Sequence, residues 1–508
     1  MITRRTLLGT GAGVAASAGL LLAGPAAATN RRPGRNWDQL ATALTGDLVR
    51  PGEAGYDQAR KLENAQFDTV FPQAVVYAET PQDVRTAMRF AQDQGLHTAV
   101  RSGGHSYAGW STTEGLVINL TRLNKVTVGR DTVSLGPGVQ AVDVVPQLAP
   151  HGLTVPAGFC PTVSPGGFVT GGGTGWQYRK YGPACDRLVS AQVVLADGRI
   201  VNATEQRHAD LLWALRGGGG GNFGVVTEFR MAPTRIARVA HYTLTFAWQD
   251  AARAVAGYLD WTTQASADLA SDGVLLLPDA SPGAVPLVIV TGVHLGGVAT
   301  LERDLALLGS LTGVAPATRV VQDLGYEQAM MQVFGCGDKT VDSCHTVGNN
   351  AHAALPRQAY VKNRGRMFTR VLPSTGVDRL LAAFDADRRA GQTRIVSLLG
   401  LGKNANARSL DHGAWAHRSA LYSGTLTVSL ADPNPPAEER AAAQSWLDGV
   451  FHAIDPFSNG HSYVNFPDTA LTDWADAYYG PNLPRLSRVK RQYDPHGFFR
   501  FAQSVPAA

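Results

Sequence analysis

An α+β fold is predicted for this chain of 508 residues. Two observations carry the expectation. The region after residue 71 opens as strand, helix, strand. The region from about 236 to 455 alternates strand-like runs with long helical stretches, as an antiparallel sheet covered by helices on one face does. The length adds that two or more domains are expected, because one hydrophobic core stops growing well before this size.

Taken in order, residues 1–28 read as a targeting segment. Thr3-Arg4-Arg5-Thr6-Leu7-Leu8 is a twin-arginine pattern, a Gly/Ala-rich apolar stretch follows, and Ala26-Ala27-Ala28 forms a small-residue cleavage site. A membrane anchor is the competing reading, but glycines interrupt the run and it falls short of the roughly 20 apolar residues a span needs. A secreted protein, exported by the twin-arginine route and free of the membrane once the signal is removed, is therefore expected.

Val75-Val76-Tyr77 reads as a strand. Thr80 is placed to cap a helix with Pro81 at its first position, and Val84, Met88 and Ala91 follow at helical spacing. Thr98-Ala99-Val100 is the next strand. Further on, 241–248, 273–277, 285–293, 369–372, 394–399 and 420–430 have strand character, and 249–266 and 301–311 are helical. The tail from about 456 is different again, dense in Tyr, Asn, Pro and Asp.

Bulk properties exclude several classes. The chain is 44% hydrophobic and 17% charged with a net charge of +4, which fits a folded globular protein and calls for neither nucleic acid nor an anionic membrane as partner. Its four cysteines, Cys160, Cys185, Cys336 and Cys344, make no disulfide framework and have no zinc spacing. Cys336 and Cys344 flank a short polar loop, and either a local disulfide or two thiols is open.

Three glycine-rich runs concentrate the chemistry. Arg101-Ser102-Gly103-Gly104-His105 follows a strand, and such a turn brings backbone N–H groups close to an anionic ligand. Residues 158–175 hold seven glycines with Ser and Thr between them, unlike any regular strand or helix. Residues 216–226 begin Arg216-Gly217-Gly218-Gly219-Gly220-Gly221-Asn222 and end in an apolar, strand-like stretch. None is a Walker loop or a G-x-G-x-x-G turn. Together they look like backbone wrapped around one large ligand.

With these runs and the tail motifs Tyr478-Tyr479-Gly480-Pro481-Asn482 and Tyr493-Asp494-Pro495, the chain resembles the berberine bridge enzyme-like branch of the vanillyl-alcohol oxidase/p-cresol methylhydroxylase flavoproteins. The resemblance implies a two-part FAD-binding domain of the p-cresol methylhydroxylase type, made from residues 37–235 and a returning segment 456–508, with a substrate-binding domain at 236–455. It also implies bicovalent FAD, bonded by His105 and Cys160, the imidazole and thiolate being nucleophiles suited to the flavin edge. Other flavin contacts carried over by position are Arg101, Ser102, Gly103, Gly104, Ser106, Gly158, Thr162, Gly166, Gly167, Thr174, Val225 by its backbone, Tyr463 and Asn465. For Tyr463, core packing is the alternative.

The chain departs from the family pattern at Phe466. Many relatives have a proton-accepting tyrosine there, and phenylalanine accepts none. Leu399 and Gly424 fall at two further positions that carry polar groups in relatives. Tyr107, or Tyr422 on the strand face of Gly424, is the expected substitute base. Alternatively the substrate needs no strong base. The expected function is an oxidase passing hydride from an alcohol- or amine-type carbon of a specialised metabolite to FAD and on to O2, giving H2O2. An oligosaccharide oxidase forming a lactone, and a flavin-bearing protein that sequesters a drug-like compound, are the alternatives.

Overall fold

The computed structural model describes residues 36–507, so the targeting segment expected at 1–28 lies outside the described residues. Three sheets follow one another along the chain. The first contains β1 (Asp47–Val49), β2 (Ala74–Tyr77), β3 (Thr98–Arg101) and β4 (Leu116–Asn119), in the order β1-β2-β4-β3. β2 and β3 both run parallel to β4. The crossover between them is α1 (Pro81–Asp93), and its start is a full capping box: Thr80 accepts from the Asp83 N–H, and the Asp83 carboxylate accepts from the Thr80 N–H. Asp83 also accepts from the backbone N–H groups of Thr45 and Gly46, so one carboxylate ties the lead-in chain to the helix.

The second sheet contains β5 (Val126–Val128), β6 (Val133–Leu135), β7 (Leu188–Val194), β8 (Ile200–Ala203) and β9 (Val225–Met231), antiparallel in the order β5-β6-β9-β7-β8. Between β6 and β7 runs the long glycine-rich segment, which includes the short helix α2 (Pro165–Thr170).

The third sheet has seven strands: β10 (Arg238–Phe246), β11 (Leu269–Leu277), β12 (Leu287–His294), β13 (Thr318–Gly325), β14 (Tyr360–Phe368), β15 (Gln392–Gly400) and β16 (Tyr422–Leu430). All pairings are antiparallel, in the order β13-β10-β12-β11-β15-β16-β14. Helices α3 (Ala251–Gln264), α4 (Val298–Thr312), α5 (Ser374–Asp385) and α6 (Ala437–Ile454) accompany it. The helical side takes the apolar half of each strand's alternation: Val396 and Leu398 of β15 and Leu426 and Val428 of β16 are fully buried. Even the glycines on that side are filled, since Gly273 faces the Tyr258 ring and Gly424 faces Phe368 and Ile454.

Two sequence expectations need correction. Residues 369–372 are not a strand; β14 ends at Phe368, and the chain turns there to enter α5 behind Pro373. β13 was not expected. It is an edge strand, largely exposed, and its Arg319, Gln322 and Asp323 break the apolar alternation by which strands are recognised. Cys336 and Cys344 are joined as a disulfide, with Cα atoms 5.9 Å apart, while Cys160 and Cys185 are free.

After α6 the chain returns to the N-terminal sheets. Helix α7 (Leu483–Tyr493) presents Lys490, whose buried ammonium donates to the Asn222 carbonyl at 2.8 Å, to Asp494 at 2.6 Å and to the Phe499 carbonyl at 2.5 Å. The third glycine run is thereby tied to the tail. Among the described residues, no helix is long and apolar enough to cross a membrane.

Candidate functional site

A cavity of about 550 Å³ lies between the glycine-rich runs and the open face of the third sheet. That size is in the range of small-molecule and cofactor sites. One wall is backbone. It comprises residues 102–107, which leave the end of β3, parts of 158–174, and 219–226, which enter β9. The opposite wall is the sheet, with Asp272, Asn363, Ile395, Ser397, Leu399, Ser423, Thr425 and Thr427. The tail adds Tyr463, Asn465, Phe466 and Phe501.

Just behind the backbone wall, two glycines of these runs are required for steric reasons, where the chain packs on Trp415. At Gly172, φ is +124°, and a Cβ there would lie 2.4 Å from the Trp415 ring. At Gly217, φ is +112°, and a Cβ would meet the Trp415 backbone at 2.6 Å. No other residue fits both the conformation and the space. The two runs are also stitched to each other, since the Gly217 and Gly219 N–H groups both donate to the Thr170 carbonyl.

His105 and Cys160 enter this cavity from different runs. His105 Nε2 lies 2.9 Å from the Thr162 hydroxyl, which fixes the ring and leaves Nδ1 as the nitrogen without that contact. Burial lowers the imidazole pKa, so the ring stays neutral and nucleophilic. The Cys160 thiol is pushed up to about 11, first by burial and then by the Glu63 carboxylate. It therefore holds its proton until a cation or an acceptor comes near.

Ser102, Gly103, Gly104, Ser106, Gly158, Gly166, Gly167, Thr174, Val225, Tyr463 and Asn465 also border the cavity. Tyr463 is a hub: its hydroxyl accepts from the Gly173 N–H at 2.8 Å and from Asn465 Nδ2 at 2.9 Å, and Asn465 Nδ2 also donates to the Phe168 carbonyl at 3.1 Å. The tail thus holds the second glycine run in place.

Three expected site residues sit elsewhere. The Arg101 guanidinium points away from the cavity and donates to the carbonyls of Ala59, Arg60, Lys61 and Ser111, so it anchors the first run from behind. Thr162 is buried beneath the wall and acts through His105. Tyr422 does share a strand face with Gly424, but that face is the helical one: the ring is fully buried and stacks on Phe368, with centroids 4.7 Å apart. Tyr422 is core, because in β16 the cavity side belongs to Ser423, Thr425 and Thr427.

Tyr107 does border the cavity, edge-on to Phe466 with ring centroids 5.9 Å apart. Burial, then Cys160 and Glu63, raise its pKa, so the phenol keeps its proton in this setting. Asp272 was missed. It is a half-buried carboxylate on the sheet wall that accepts from the Ser397 hydroxyl, the oxygens lying 2.9 and 2.8 Å away, and burial raises its pKa to about 7. The signal in the sequence was a lone acid within the apolar stretch Leu269-Ala270-Ser271-Asp272-Gly273-Val274.

The donor set suits a large organic cofactor. Among the described residues no cluster of His, Cys, Asp or Glu could hold a metal ion. What the cavity offers instead is close backbone along one wall, with Gly167 facing open space where a Cβ would meet nothing within 4 Å. Two neutral nucleophiles stand along the same wall. This arrangement fits FAD, held along residues 102–107, 158–174 and 219–226.

Comparison with known proteins agrees. Residues 72–204 match the FAD binding domain family, and residues 462–506 match the family described as berberine and berberine like. The uncharacterised FAD-linked oxidoreductase YgaK of Bacillus subtilis is 28% identical over 472 residues, covering 92% of this chain and 98% of that protein. Among solved structures, the Physcomitrella patens BBE-like 1 protein has a TM-score of 0.82 at 23% identity, covering 93% of this chain and 99% of its own. The glucooligosaccharide oxidase from Acremonium strictum, described as carrying 6-S-cysteinyl, 8α-N1-histidyl FAD, has a TM-score of 0.81 at 23% identity, covering 93% and 99%. With an FAD binding domain, a berberine-like C-terminal segment and this fold on one chain, the protein is similar over most of its length to berberine bridge enzyme-like FAD-linked oxidoreductases.

Proposed function

We propose that the chain is an exported oxidase that holds FAD through both His105 and Cys160 and oxidises an alcohol- or amine-type carbon of a specialised metabolite, O2 becoming H2O2. The observation that carries this reading is the placing of two nucleophiles from separate runs on one cavity wall opposite a sheet of polar side chains. The flavin, when bound, supplies the redox chemistry by accepting hydride and passing electrons to O2.

The chain's own residues supply the rest. Thr162 holds the His105 ring at Nε2 and leaves Nδ1 for the cofactor. The similar Acremonium oxidase, whose flavin is described as N1-histidyl and 6-S-cysteinyl, supports that assignment. Tyr463 and Asn465 keep the second run against the cofactor. Phe466 presents an apolar ring to the cavity beside Tyr107, whose phenol burial keeps protonated. That pair favours substrates whose reacting carbon needs no phenolate base.

A second reading, an oligosaccharide oxidase forming a lactone, is favoured by the hydroxyl row Ser397, Ser423, Thr425 and Thr427 across the sheet wall. Intact mass of the denatured protein, with His105→Ala, Cys160→Ala and the double variant, tests the linkage. FAD mass is expected on the wild type and each single variant and not on the double. Loss from one single variant overturns dual attachment. H2O2 release across a panel of amines, alcohols and oligosaccharides then separates metabolite oxidation, sugar oxidation and binding without turnover.

A further inference from the structure

We infer that Asp272 is the substrate-anchoring residue of this cavity and selects ligands that carry a protonated amine. The inference rests on the oxidase reading only in taking the substrate to occupy this cavity. Among the described residues that line it, Asp272 is the one carboxylate, and no Lys or Arg is beside it to balance the charge.

The hydrogen bonding leaves capacity unspent. Ser397 has a single hydroxyl proton, shared between two oxygens at 2.9 and 2.8 Å, while a carboxylate accepts about four hydrogen bonds. The Leu398 N–H adds one more donor. Asp272 lies directly across the ladder from Leu399, and Ser397 is paired with Thr425, so the acid stands at the edge of a patch of small hydroxyls and aliphatic side chains. A carboxylate with no cation in such surroundings is costly to keep ionised, and its pKa of about 7 records that cost. An ammonium group supplies the missing charge and up to three N–H donors. The Tyr107 and Phe466 rings of the same cavity are compatible with a cation. A neutral polyol would satisfy the lone pairs but leave the charge unbalanced.

Other ionisable groups near Asp272 do not compete. Tyr258 and Tyr242, packed behind β11, have raised pKa values and remain neutral. Arg179 keeps its charge but spends it on the carbonyls of Thr262, Ala265, Ser266 and Leu401. His105, on the opposite wall, is kept neutral by burial.

The test is calorimetry on the flavin-loaded protein with benzylamine, benzyl alcohol and cellobiose at pH 8. Benzylamine is expected to bind at least about tenfold more tightly than benzyl alcohol, the scale of one charge-assisted hydrogen bond. Asp272→Asn is expected to bring the two together, chiefly by weakening benzylamine. Wild-type affinity for benzylamine is expected to fall between pH 8 and pH 6 as Asp272 takes up its proton, and Asp272→Asn to lose that dependence. Ser397→Ala keeps the acid and removes its donor, so amine selectivity persists and the midpoint moves to higher pH. Benzylamine that binds no better than benzyl alcohol, or equally well to Asp272→Asn, overturns the inference, as does Asp272-dependent binding of cellobiose alone. Amine binding without any H2O2 leaves the inference standing and defeats the oxidase reading instead.

Discussion

The two walls of the cavity are built by opposite strategies. The glycine wall makes its shape from backbone, and just behind it Gly172 and Gly217 pack on Trp415 in conformations and spaces that no side chain tolerates. The sheet wall makes its shape from alternate side chains on a regular ladder, with Ser397, Leu399, Ser423 and Thr425 projecting from strands whose other faces are already packed. The first wall is committed to one ligand, because changing it means rebuilding the chain path. The second can be rewritten residue by residue without touching the core. One fold can thereby keep a cofactor and vary its substrate.

That contrast is breakable. The largest effect is expected at Gly172→Val, where the side chain collides with Trp415; soluble, flavin-loaded protein should be lost on expression, and a normal yield would show the wall to be plastic. Lys490→Met is next. It removes the cation between Asp494 and the Asn222 and Phe499 carbonyls, and breaking such a buried pair costs about 3–5 kcal/mol. Thermal denaturation should show it, with release of flavin from a His105→Ala, Cys160→Ala background.

On the sheet wall, Asp272→Asn should act through pH. The acid is raised from 3.8 to about 7 in the folded protein, so its stabilising contribution is complete below about pH 4 and is lost as pH rises through about 7. The melting temperature of Asp272→Asn relative to wild type is therefore expected to climb between pH 4 and pH 8. The smallest change is expected for Thr425→Val. Stability should stay within about 1 kcal/mol, because the site faces the cavity, while KM for any substrate found should move. A melting shift as large as that of Lys490→Met would mean that the sheet wall is not separable from the core.

The same contrast decides what was legible in the sequence. The glycine wall could be read directly, because runs such as Gly217-Gly218-Gly219-Gly220-Gly221 have few other uses, and His105 and Cys160 lie within such surroundings. The capped helix α1 was legible for a similar reason, since Thr80, Pro81 and Asp83 are local signals. The sheet wall was not. Tyr422 and Ser423 are neighbours on one strand, and only the packing of Phe368 tells which of them faces the cavity. Arg101, expected by position as a flavin contact, is instead held by carbonyls of residues 59–61 and 111, which no local pattern connects to it. Asp272 is not legible because the apolar strand pattern is clear only from Gly273 onward, whereas β11 starts at Leu269.

The tie between Asn222 and the tail has a consequence for biosynthesis. Asn222 in the third glycine run receives its hydrogen bonds from Lys490 and from the Val505 N–H, 283 positions further along the chain. A ribosome must therefore finish almost the whole polypeptide before that run can be locked. Truncated translation products would carry every flavin-facing glycine and both nucleophiles and still leave the pocket unclosed.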